Sequence, residues 1–417
     1  MQYVITDYGA ESGGKTLCTA AVQAAVDACA ADGGGTVVVP AGTFLIGTVW
    51  LKSHVELHLR HGAVLKASAD LADYNDENAY PQNFGSEGEK WCGKHLIIAL
   101  EQTDVAVTGD GTIEGCADTV YGGKLHYCSN SAWREGYYLL RDGAPLRPGP
   151  MVCFVECDRV RVTGVTLRGA TCWNLLLHGC YYATLTGLTI RGDKQHVNTD
   201  GVDLDTCRYV TVSDCIIDTG DDALAIRCCA DHLTAHPERR DCAYITVTNC
   251  ILSTSACSVR FGVGNGSIHH VQLSDLTVPR TGEGLTFMTG WGGALAIHDV
   301  TVHHVLAEDS GVPFQFYGNK APISRVTLRD CCLGASLAAR VEGDTCDLRF
   351  ADITLYDRQP QAVCPAMLDE QRGDAMILLR DAKRISFERV RLFGEKRERG
   401  LHAENCTFDG QDVRLIK

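Results

Sequence analysis

Variants of the stretch Val160-Arg-Val-Thr-Gly-Val-Thr-Leu167 recur along the chain and indicate its architecture. It returns as Ala183-Thr-Leu-Thr-Gly-Leu-Thr-Ile190, Val210-Thr-Val-Ser-Asp-Cys-Ile-Ile217 and Ile245-Thr-Val-Thr-Asn-Cys-Ile-Leu252, with further copies from Val105, Val271, Val300, Val326, Leu348 and Ile385. Each copy alternates apolar and polar residues and is rich in β-branched side chains, which is typical of a half-buried strand. A strand pattern that recurs at intervals of this size predicts a repeat architecture.

We therefore predict an all-β fold, a right-handed parallel β-helix, as a single domain over residues 1–417. Each coil of about 22–30 residues would carry two or three strands, and stacked coils would share one core. Cys215, Cys250 and Cys331 hold the sixth position of the repeat, which predicts an internal ladder of thiols. A propeller or a sandwich would need hairpin turns such as Asn-Gly, which are scarce here.

Two segments depart from the repeat. The Ala-rich stretch Leu17–Ala30 has helical spacing of its apolar residues, and we expect a helix over about residues 15–32 to cap the first coil. The run Gly33–Gly35 lacks the motifs of a phosphate loop and is interpreted as a turn into the first strand. Residues 356–384 break the repeat and are interpreted as an insertion or flap near the C-terminus.

The composition limits partners and location. A formal charge of −14 disfavours nucleic acid and anionic membrane surfaces, and no apolar run is long enough to span a bilayer. Because the 21 cysteines are odd in number and the N-terminus lacks the pattern of a signal peptide, we expect free thiols and a cytoplasmic location. We expect no cofactor and no metal site, since the pairs His269-His270 and His303-His304 would place neighbouring side chains on opposite strand faces.

Aligning the strands by their pattern brings three aspartates to neighbouring positions just before two of the strands. Asp200 and Asp222 precede two strands of one pattern and are 22 residues apart, the length of one coil, so they are predicted to be neighbours. Asp221 adds a third carboxylate. Crowded carboxylates titrate as a coupled set, which suits proton transfer or cation binding. One protonated and one ionised carboxyl can hydrolyse a glycosidic bond, whereas the alternative is a pair of aspartates that merely form turns.

These motifs resemble those of a known family. Asn198-Thr-Asp-Gly201, Gly220-Asp-Asp222 and Ala225-Ile-Arg227, with Pro40–Phe44, Gly109–Ile113, Arg147–Pro150 and Trp173-Asn174, are similar to the polygalacturonase family, glycoside hydrolase family 28. The resemblance implies inverting hydrolysis of an α-glycosidic bond in pectin-type oligosaccharides. Asp221 would be the general acid, Asp200 and Asp222 would activate the water, and Asn198 would bind substrate. In a cytoplasmic enzyme this implies exo-action on short fragments, with the loops Asp73–Lys94 and Tyr121–Pro150 closing one end of the cleft.

The chain departs from the family pattern at two places. Cys257, a further candidate for substrate binding, stands where the family has the His of Gly-His-Gly, and Thr286-Phe-Met288 stands where it has Arg-Ile-Lys. In the family that Arg and Lys bind galacturonate carboxylates. Arg260 and Arg227 are the candidates to replace the lost charge, because a guanidinium binds a carboxylate in a planar fork. The alternative for Arg260 is a salt bridge to Asp203 or Asp222.

The remaining candidates for substrate binding are outward-facing or exposed residues near the motifs. They are His178, His196, Asp203 and Trp291, of which Trp291 could stack on a sugar face. Two other functions stay open at this point. One is a polysaccharide lyase or epimerase acting on uronic-acid glycans. The other is a carbohydrate-binding β-helix without catalysis, against which the retention of all three aspartates argues.

Overall fold

The protein is almost entirely β-structure. The computed structural model describes residues 1–86, 89–121, 146–194, 196–358 and 374–417. These residues group into two compact units. Unit 1 contains the described residues up to 220 together with 232–239, and unit 2 contains 221–231 and the described residues from 240 onward. The single domain over residues 1–417 stays a prediction.

Unit 1 holds two helices and twenty strands. The helices are α1 (Thr19–Ala31) and α2 (Ala117–Val120), and single 3-10 turns span Ile5–Tyr8 and Leu71–Asp73. The strands are β1 (Gln2–Val4), β2 (Gly35–Val39), β3 (Gly42–Ile46), β4 (Val49–Leu51), β5 (Val55–Leu59), β6 (Ala63–Ala67), β7 (Trp91–Cys92), β8 (Ile97–Leu100), β9 (Thr103–Gly109), β10 (Thr112–Glu114), β11 (Arg147–Pro148), β12 (Val152–Val155), β13 (Asp158–Thr163), β14 (Thr166–Arg168), β15 (Leu175–His178), β16 (Tyr181–Thr186), β17 (Thr189–Arg191), β18 (Val202–Asp205), β19 (Arg208–Ser213) and β20 (Ile216–Thr219).

Unit 2 holds the remaining strands, some of which run through several bends of the chain. They are β21 (Leu224–Cys228), β22 (Asp241–Thr254), β23 (Cys257–Gly264), β24 (Ser267–Met288), β25 (Ala296–Ala335), β26 (Ala339–Asp357), β27 (Ala375–Arg380), β28 (Lys383–Glu388), β29 (Val390–Phe393), β30 (Arg399–Glu404), β31 (Thr407–Asp409) and β32 (Val413–Ile416).

The strands of unit 1 stack as coils of three. Strands β12, β15 and β18 pair in parallel, as do β13, β16 and β19, and as do β14, β17 and β20. The first residues of three sequence repeats, Val160, Ala183 and Val210, are paired in register and buried. Parallel strands joined by crossovers in one direction form a right-handed coil. The predicted right-handed parallel β-helix is confirmed.

Helix α1 lies at the N-terminal end of unit 1. It spans Thr19–Ala31, slightly shorter than predicted, and buries Val22, Ala25, Val26 and Cys29 against the first strands. The turn that follows needs Gly34, since its φ is 110° and a Cβ there would collide with the backbone of His54. None of the helices in the described part of the chain has the length and apolarity to cross a membrane.

The coils bend at residues in the left-handed region, and this breaks the strict alternation of side chains. His270 and His304 have φ values of 53° and 54°. Their rings therefore meet those of the preceding residues, with the Nδ1 atoms of His269 and His270 2.7 Å apart. The prediction that such pairs face opposite sides was wrong, because it assumed extended backbone throughout.

Part of the predicted thiol ladder is not formed: Cys331 pairs with Ile353, and Cys250 pairs with Leu276 in the coil that follows it. The stacking of Cys215 on Cys250 stays a prediction. A ladder that the sequence did not indicate lies in unit 1, where Cys157, Cys180 and Cys207 stand at the bends of successive coils, fully buried, and Cys180 interacts with both neighbours. The sequence pattern of the strands could not indicate this ladder, because its cysteines lie in the bends that connect one strand to the next.

The segment 356–384 is only partly an insertion. Tyr356 and Asp357 end strand β26, and Ala375–Arg380 form β27, which pairs in parallel with β26. Its last residues begin β28. Residues 359–373, and residues 122–145 of the loop predicted to close the cleft, lie outside the described residues.

A column of stacked rings fills the core of unit 2 and gives a test of the register. Phe261, Phe287 and Phe316 stack with ring centroids 4.4 Å apart. We expect Phe287→Ala to lower the free energy of unfolding by roughly 3–5 kcal/mol, because it empties a buried volume in a close-packed column. The matched control Phe408→Ala, at a half-exposed ring, should change it by less than about 0.5 kcal/mol. Equal losses in chemical denaturation would contradict this register.

Candidate functional site

The outward face of three stacked strands changes character along unit 1. Cys153 pairs with Leu176 and Leu176 pairs with Asp203, so that one outward column passes from apolar residues to an acid. The second column passes from Val155 through His178 to Asp205. The acidic part of this face therefore begins at β18, the strand that follows Asp200.

Aromatic side chains cover the apolar part of that face. Tyr80, Phe84, Trp91 and Trp173, which we call the aromatic cover, pack over Cys153, Val155 and Leu176. Phe84 lies 5.3 Å from Trp91 and 6.3 Å from Trp173 between ring centroids, and Trp91 lies 5.5 Å from Trp173. The cover therefore ends over β15, the strand that pairs with β18.

A buried carboxylate joins two loops beside the aromatic cover. Glu156 is 2% exposed and accepts hydrogen bonds from the amides of Thr234, Ala235 and His236 at 3.1, 3.0 and 2.6 Å. It also accepts one from the side-chain amide of Gln82. Burial alone would raise the pKa of Glu156, but these hydrogen bonds outweigh it and lower that pKa. The ionised carboxylate thus anchors the two loops.

Asp200 is held through its backbone. Its carbonyl oxygen accepts from the amide and the side chain of Asn174, at 2.8 and 2.9 Å, and its side chain is buried. The Thr199 hydroxyl accepts from the Gly220 amide at 3.2 Å. Gly220 must be glycine, because a Cβ there would collide with the carbonyl oxygens of His196 and Asp193. The Asn198–Asp200 turn is therefore fixed from both sides.

Of the other predicted residues of unit 1, Asn198, His178 and Asp203 are buried and His196 is half-buried. Asn198 is 4% exposed and accepts from Arg147, and His196 stacks on Tyr121 with centroids 3.9 Å apart. Burial lowers the pKa of His196, which favours the neutral ring. His178 lies beside Phe84 with its Nδ1 3.6 Å from Asp205 Oδ2. Asp203 is also buried. Their roles in substrate binding stay predictions.

Asp222 forms a buried ion pair in unit 2. The guanidinium of Arg260 donates to both carboxylate oxygens of Asp222, and the Cys257 amide donates to Oδ1 at 3.1 Å. Burial opposes the charge on Arg260, yet the Asp222 carboxylate outweighs it and raises the pKa of Arg260 well above its usual range. The sequence left open whether Arg260 replaces the lost positive charge or forms a salt bridge to an aspartate. The structure contains the salt bridge to Asp222.

Asp221 precedes this ion pair directly. Its carboxylate accepts the amide of Asp222 at 3.0 Å, and its carbonyl oxygen accepts from the Thr254 hydroxyl. Both aspartates are 4% exposed. The contacts among Asp221, Asp222 and Arg260 all lie within unit 2. The proximity of Asp200 to Asp222 stays a prediction.

Cys257, at the position of the family's histidine, points into a polar cluster. Its fully buried thiol donates to Glu283 Oε2 at 3.2 Å, and burial raises its pKa. Glu283 also accepts from Gln315 at 2.5 Å and from Thr286 at 3.3 Å. Burial raises the pKa of Glu283. The Cys257 thiol is therefore out of reach of solvent, and its predicted contact with substrate stays a prediction.

Trp291 and Arg227 lie at more accessible positions. Trp291 is 53% exposed and its ring lies over the Arg260 guanidinium, 5.5 Å from the centroid. Such a cation–π contact fixes the indole while leaving part of it open to a ligand. Arg227 is half-buried on β21 and reaches the Cys229 thiol at 3.9 Å.

Sequence reasoning missed several residues that organise these surroundings. Arg147 and Asn174 were quoted only as parts of family-like stretches, and Glu156, Glu283 and Gln315 received no role. No motif marked the last three, because their partners come from distant coils and loops. Burial would have marked these polar residues as important, but burial cannot be read from the sequence alone.

The Asp222–Arg260 pair gives a test of the electrostatics. We expect Arg260→Met to lower the free energy of unfolding by roughly 3–5 kcal/mol, because it leaves a buried carboxylate without its counter-charge. The double variant Arg260→Met/Asp222→Asn should regain most of that loss in the same denaturation experiment. Additive losses of the two single variants would contradict a coupled pair.

The comparisons with known proteins agree with this geometry. Residues 29–314 match the family glycosyl hydrolases family 28. A probable polygalacturonase of Vitis vinifera is 28% identical over 366 residues, which cover 81% of this chain and 70% of that protein. An exo-poly-alpha-D-galacturonosidase of Dickeya chrysanthemi is 28% identical over 254 residues, covering 53% of this chain and 41% of that protein.

Solved structures show the same fold at low identity. The exopolygalacturonase of Thermotoga maritima superposes with a TM-score of 0.70 at 19% identity, over 99% of this chain and 92% of that one. The family 28 exopolygalacturonase of Yersinia enterocolitica gives 0.69 at 18% identity, over 100% and 79%. With more than half of its length matched, the chain belongs to glycosyl hydrolases family 28, enzymes that cleave O-glycosyl bonds.

Proposed function

We propose that this protein is an exo-acting hydrolase that removes terminal galacturonic acid from short pectin-type oligosaccharides with inversion. The observation that carries the proposal is the pair of adjacent carboxylates, Asp221 and Asp222, of which Asp222 is held by Arg260. The names of the Vitis, Dickeya and Thermotoga relatives support the substrate.

The proposed mechanism divides the work between acid and base. Asp222, which is held by Arg260, is assigned as the base that takes a proton from water. Asp221 then donates its proton to the glycosidic oxygen as the bond to C1 breaks. Asp200, 22 residues before Asp222, shares the activation of the water that forms the new bond to C1. This is the arrangement that inverting hydrolysis requires.

Exo-action follows from the aromatic cover. The cover and the two loops anchored by Glu156 close the outward face on the N-terminal side of β18. A sugar chain bound from β18 onward would therefore present only its terminal residue on that side. No cofactor takes part in this proposal. A lyase would instead release an unsaturated product that absorbs ultraviolet light, and a binding module would release nothing.

A cytoplasmic location is also proposed, on the thiols. Among the described residues, Cys18, Cys29, Cys92, Cys153 and Cys331 carry free thiols that are buried. Disulfides are rare in reducing compartments, whereas buried free thiols act there as small apolar residues. Such a location would restrict the substrate to oligosaccharides that have entered the cell.

Asp221→Asn tests the general acid. We expect it to lower kcat on tri- and tetragalacturonide by roughly 10²–10⁴-fold with an unchanged Tm, because the amide cannot donate the proton. The assay is reducing-sugar release, with proton NMR to follow the anomer formed first. Asp218→Asn, on a half-exposed side chain that binds Lys194, is the matched control and should keep full activity. Full activity of Asp221→Asn would remove Asp221 as the acid, and cleavage of neutral oligosaccharides alone would remove the galacturonide substrate.

The product pattern tests exo-action. From hexagalacturonide the wild-type protein should release only the monosaccharide at early times. Glu156→Ala should add di- and trisaccharides, because it frees the loops that it anchors beside the aromatic cover. Glu388→Ala, which removes an exposed ion pair with Arg349, should keep the wild-type pattern in chromatography of the products. A mixture of lengths from the wild-type protein at the first time points would exclude exo-action.

A further inference from the structure

Arg147 is a buried cation with an unusual set of partners. It lies on β11, is 1% exposed, and its two terminal nitrogens reach five oxygens. One nitrogen donates to the carbonyl oxygens of Thr171 and Val197 at 2.6 and 2.8 Å and contacts the Tyr121 hydroxyl. The other donates to the carbonyl oxygen of Glu89 at 2.9 Å and to Asn198 Oδ1 at 2.6 Å. This guanidinium therefore gathers several separate segments.

Two of these acceptors belong to the turn that carries Asp200. Val197 offers its carbonyl oxygen and Asn198 its side chain, and Asp200 follows Asn198 by two residues, within about 7 Å along the backbone. Asn198 has a φ of 52°, in the left-handed region, which asparagine adopts more readily than most residues. Arg147, 51 residues earlier in the chain, binds its side chain in this conformation.

The remaining contacts of Arg147 tie this turn to its surroundings. Thr171 lies just before Asn174, which holds the carbonyl oxygen of Asp200, and Glu89 lies beside the aromatic cover. The Tyr121 ring that touches Arg147 also stacks on His196. The guanidinium of Arg147 thus binds both the turn that carries Asp200 and the segment of Glu89 beside the aromatic cover.

A guanidinium is suited to this position and an ammonium is not. Burying a charge is costly unless many polar groups offset it, and here carbonyl, hydroxyl and amide oxygens surround the cation. Its planar fork can serve acceptors on two sides at once, whereas the ammonium of lysine is a single point.

We propose that Arg147 is a positioning residue that fixes the Asn198–Asp200 turn and so holds Asp200 where it can activate the water. The inference rests on the proposed function for the role of Asp200, but the placement of the turn is independent of it. A displacement of about 1 Å of a reacting group can cost about 100-fold in rate. Arg147 therefore acts on turnover and not on substrate affinity.

The experiment compares Arg147→Met with the wild-type protein on trigalacturonide. We expect kcat to fall by about 100-fold or more and KM to stay within about twofold. Arg147→Lys should recover only part of kcat. Because Arg147 acts through the turn, the kcat of the double variant Arg147→Met/Asn198→Leu should be no lower than that of Arg147→Met alone. Multiplied losses, or a change confined to KM, would overturn the proposal.

Amide hydrogen exchange measures the turn without any activity. The amides of Asn174, Leu175 and Gly220 donate to Asp200, Gly201 and Thr199 at 2.8, 3.2 and 3.2 Å. In Arg147→Met these amides should exchange at least tenfold faster. The matched control is Arg397→Met, which removes a buried arginine that binds Asp357 in unit 2, and it should leave them unchanged.

The two readouts separate the two proposals. Unchanged exchange in Arg147→Met overturns the positioning of the turn, whatever the activity. Faster exchange with an unchanged kcat overturns the link to catalysis. If the wild-type protein hydrolyses no galacturonide while exchange responds as expected, the proposed function fails and the positioning of the turn stands.

Discussion

The in-register pairing of parallel strands between coils is the constraint on which the rest of the structure depends. Each coil must present the same backbone spacing to its neighbours, so a residue on one strand has a fixed partner in the next coil. Val160, Ala183 and Val210 share one inward column for this reason, and Phe261, Phe287 and Phe316 share another. Outward residues obey the same rule, and this places Asp203 beside Leu176.

Burial of charge is the second theme. In a medium of low polarity, a carboxylate persists only with a counter-charge or several donors. Asp222 has Arg260 and an amide, Glu156 has three amides and Gln82, and Arg147 has five oxygens. These groups restrain loops and turns rather than strands. Buried charged side chains therefore hold the loops and turns around the candidate site in fixed positions.

The aromatic cover shows how a continuous surface becomes a closed one. The outward face of stacked coils continues from one coil to the next, so it is interrupted only where a loop folds over it. The loop that contains Tyr80 and Phe84 does so in unit 1, and its apolar rings lie over apolar outward residues. Hydrophobic burial thus sets the limit of the surface that remains for a sugar chain.

Local sequence patterns were enough to predict the fold class, the capping helix, the register of the strands and the family, because alternation and spacing are local properties that the backbone turns directly into position. The sequence also predicts catalytic roles for Asp200, Asp221 and Asp222 from short motifs, and these roles stay predictions. The packing of the folded chain was needed to show that Arg260 binds Asp222, that Cys157, Cys180 and Cys207 stack, and that Arg147 binds the side chain of Asn198. These contacts join residues through bends in the left-handed region and through loops of unequal length. No periodicity in the sequence records where such a bend points, so only the packed chain brings these partners together.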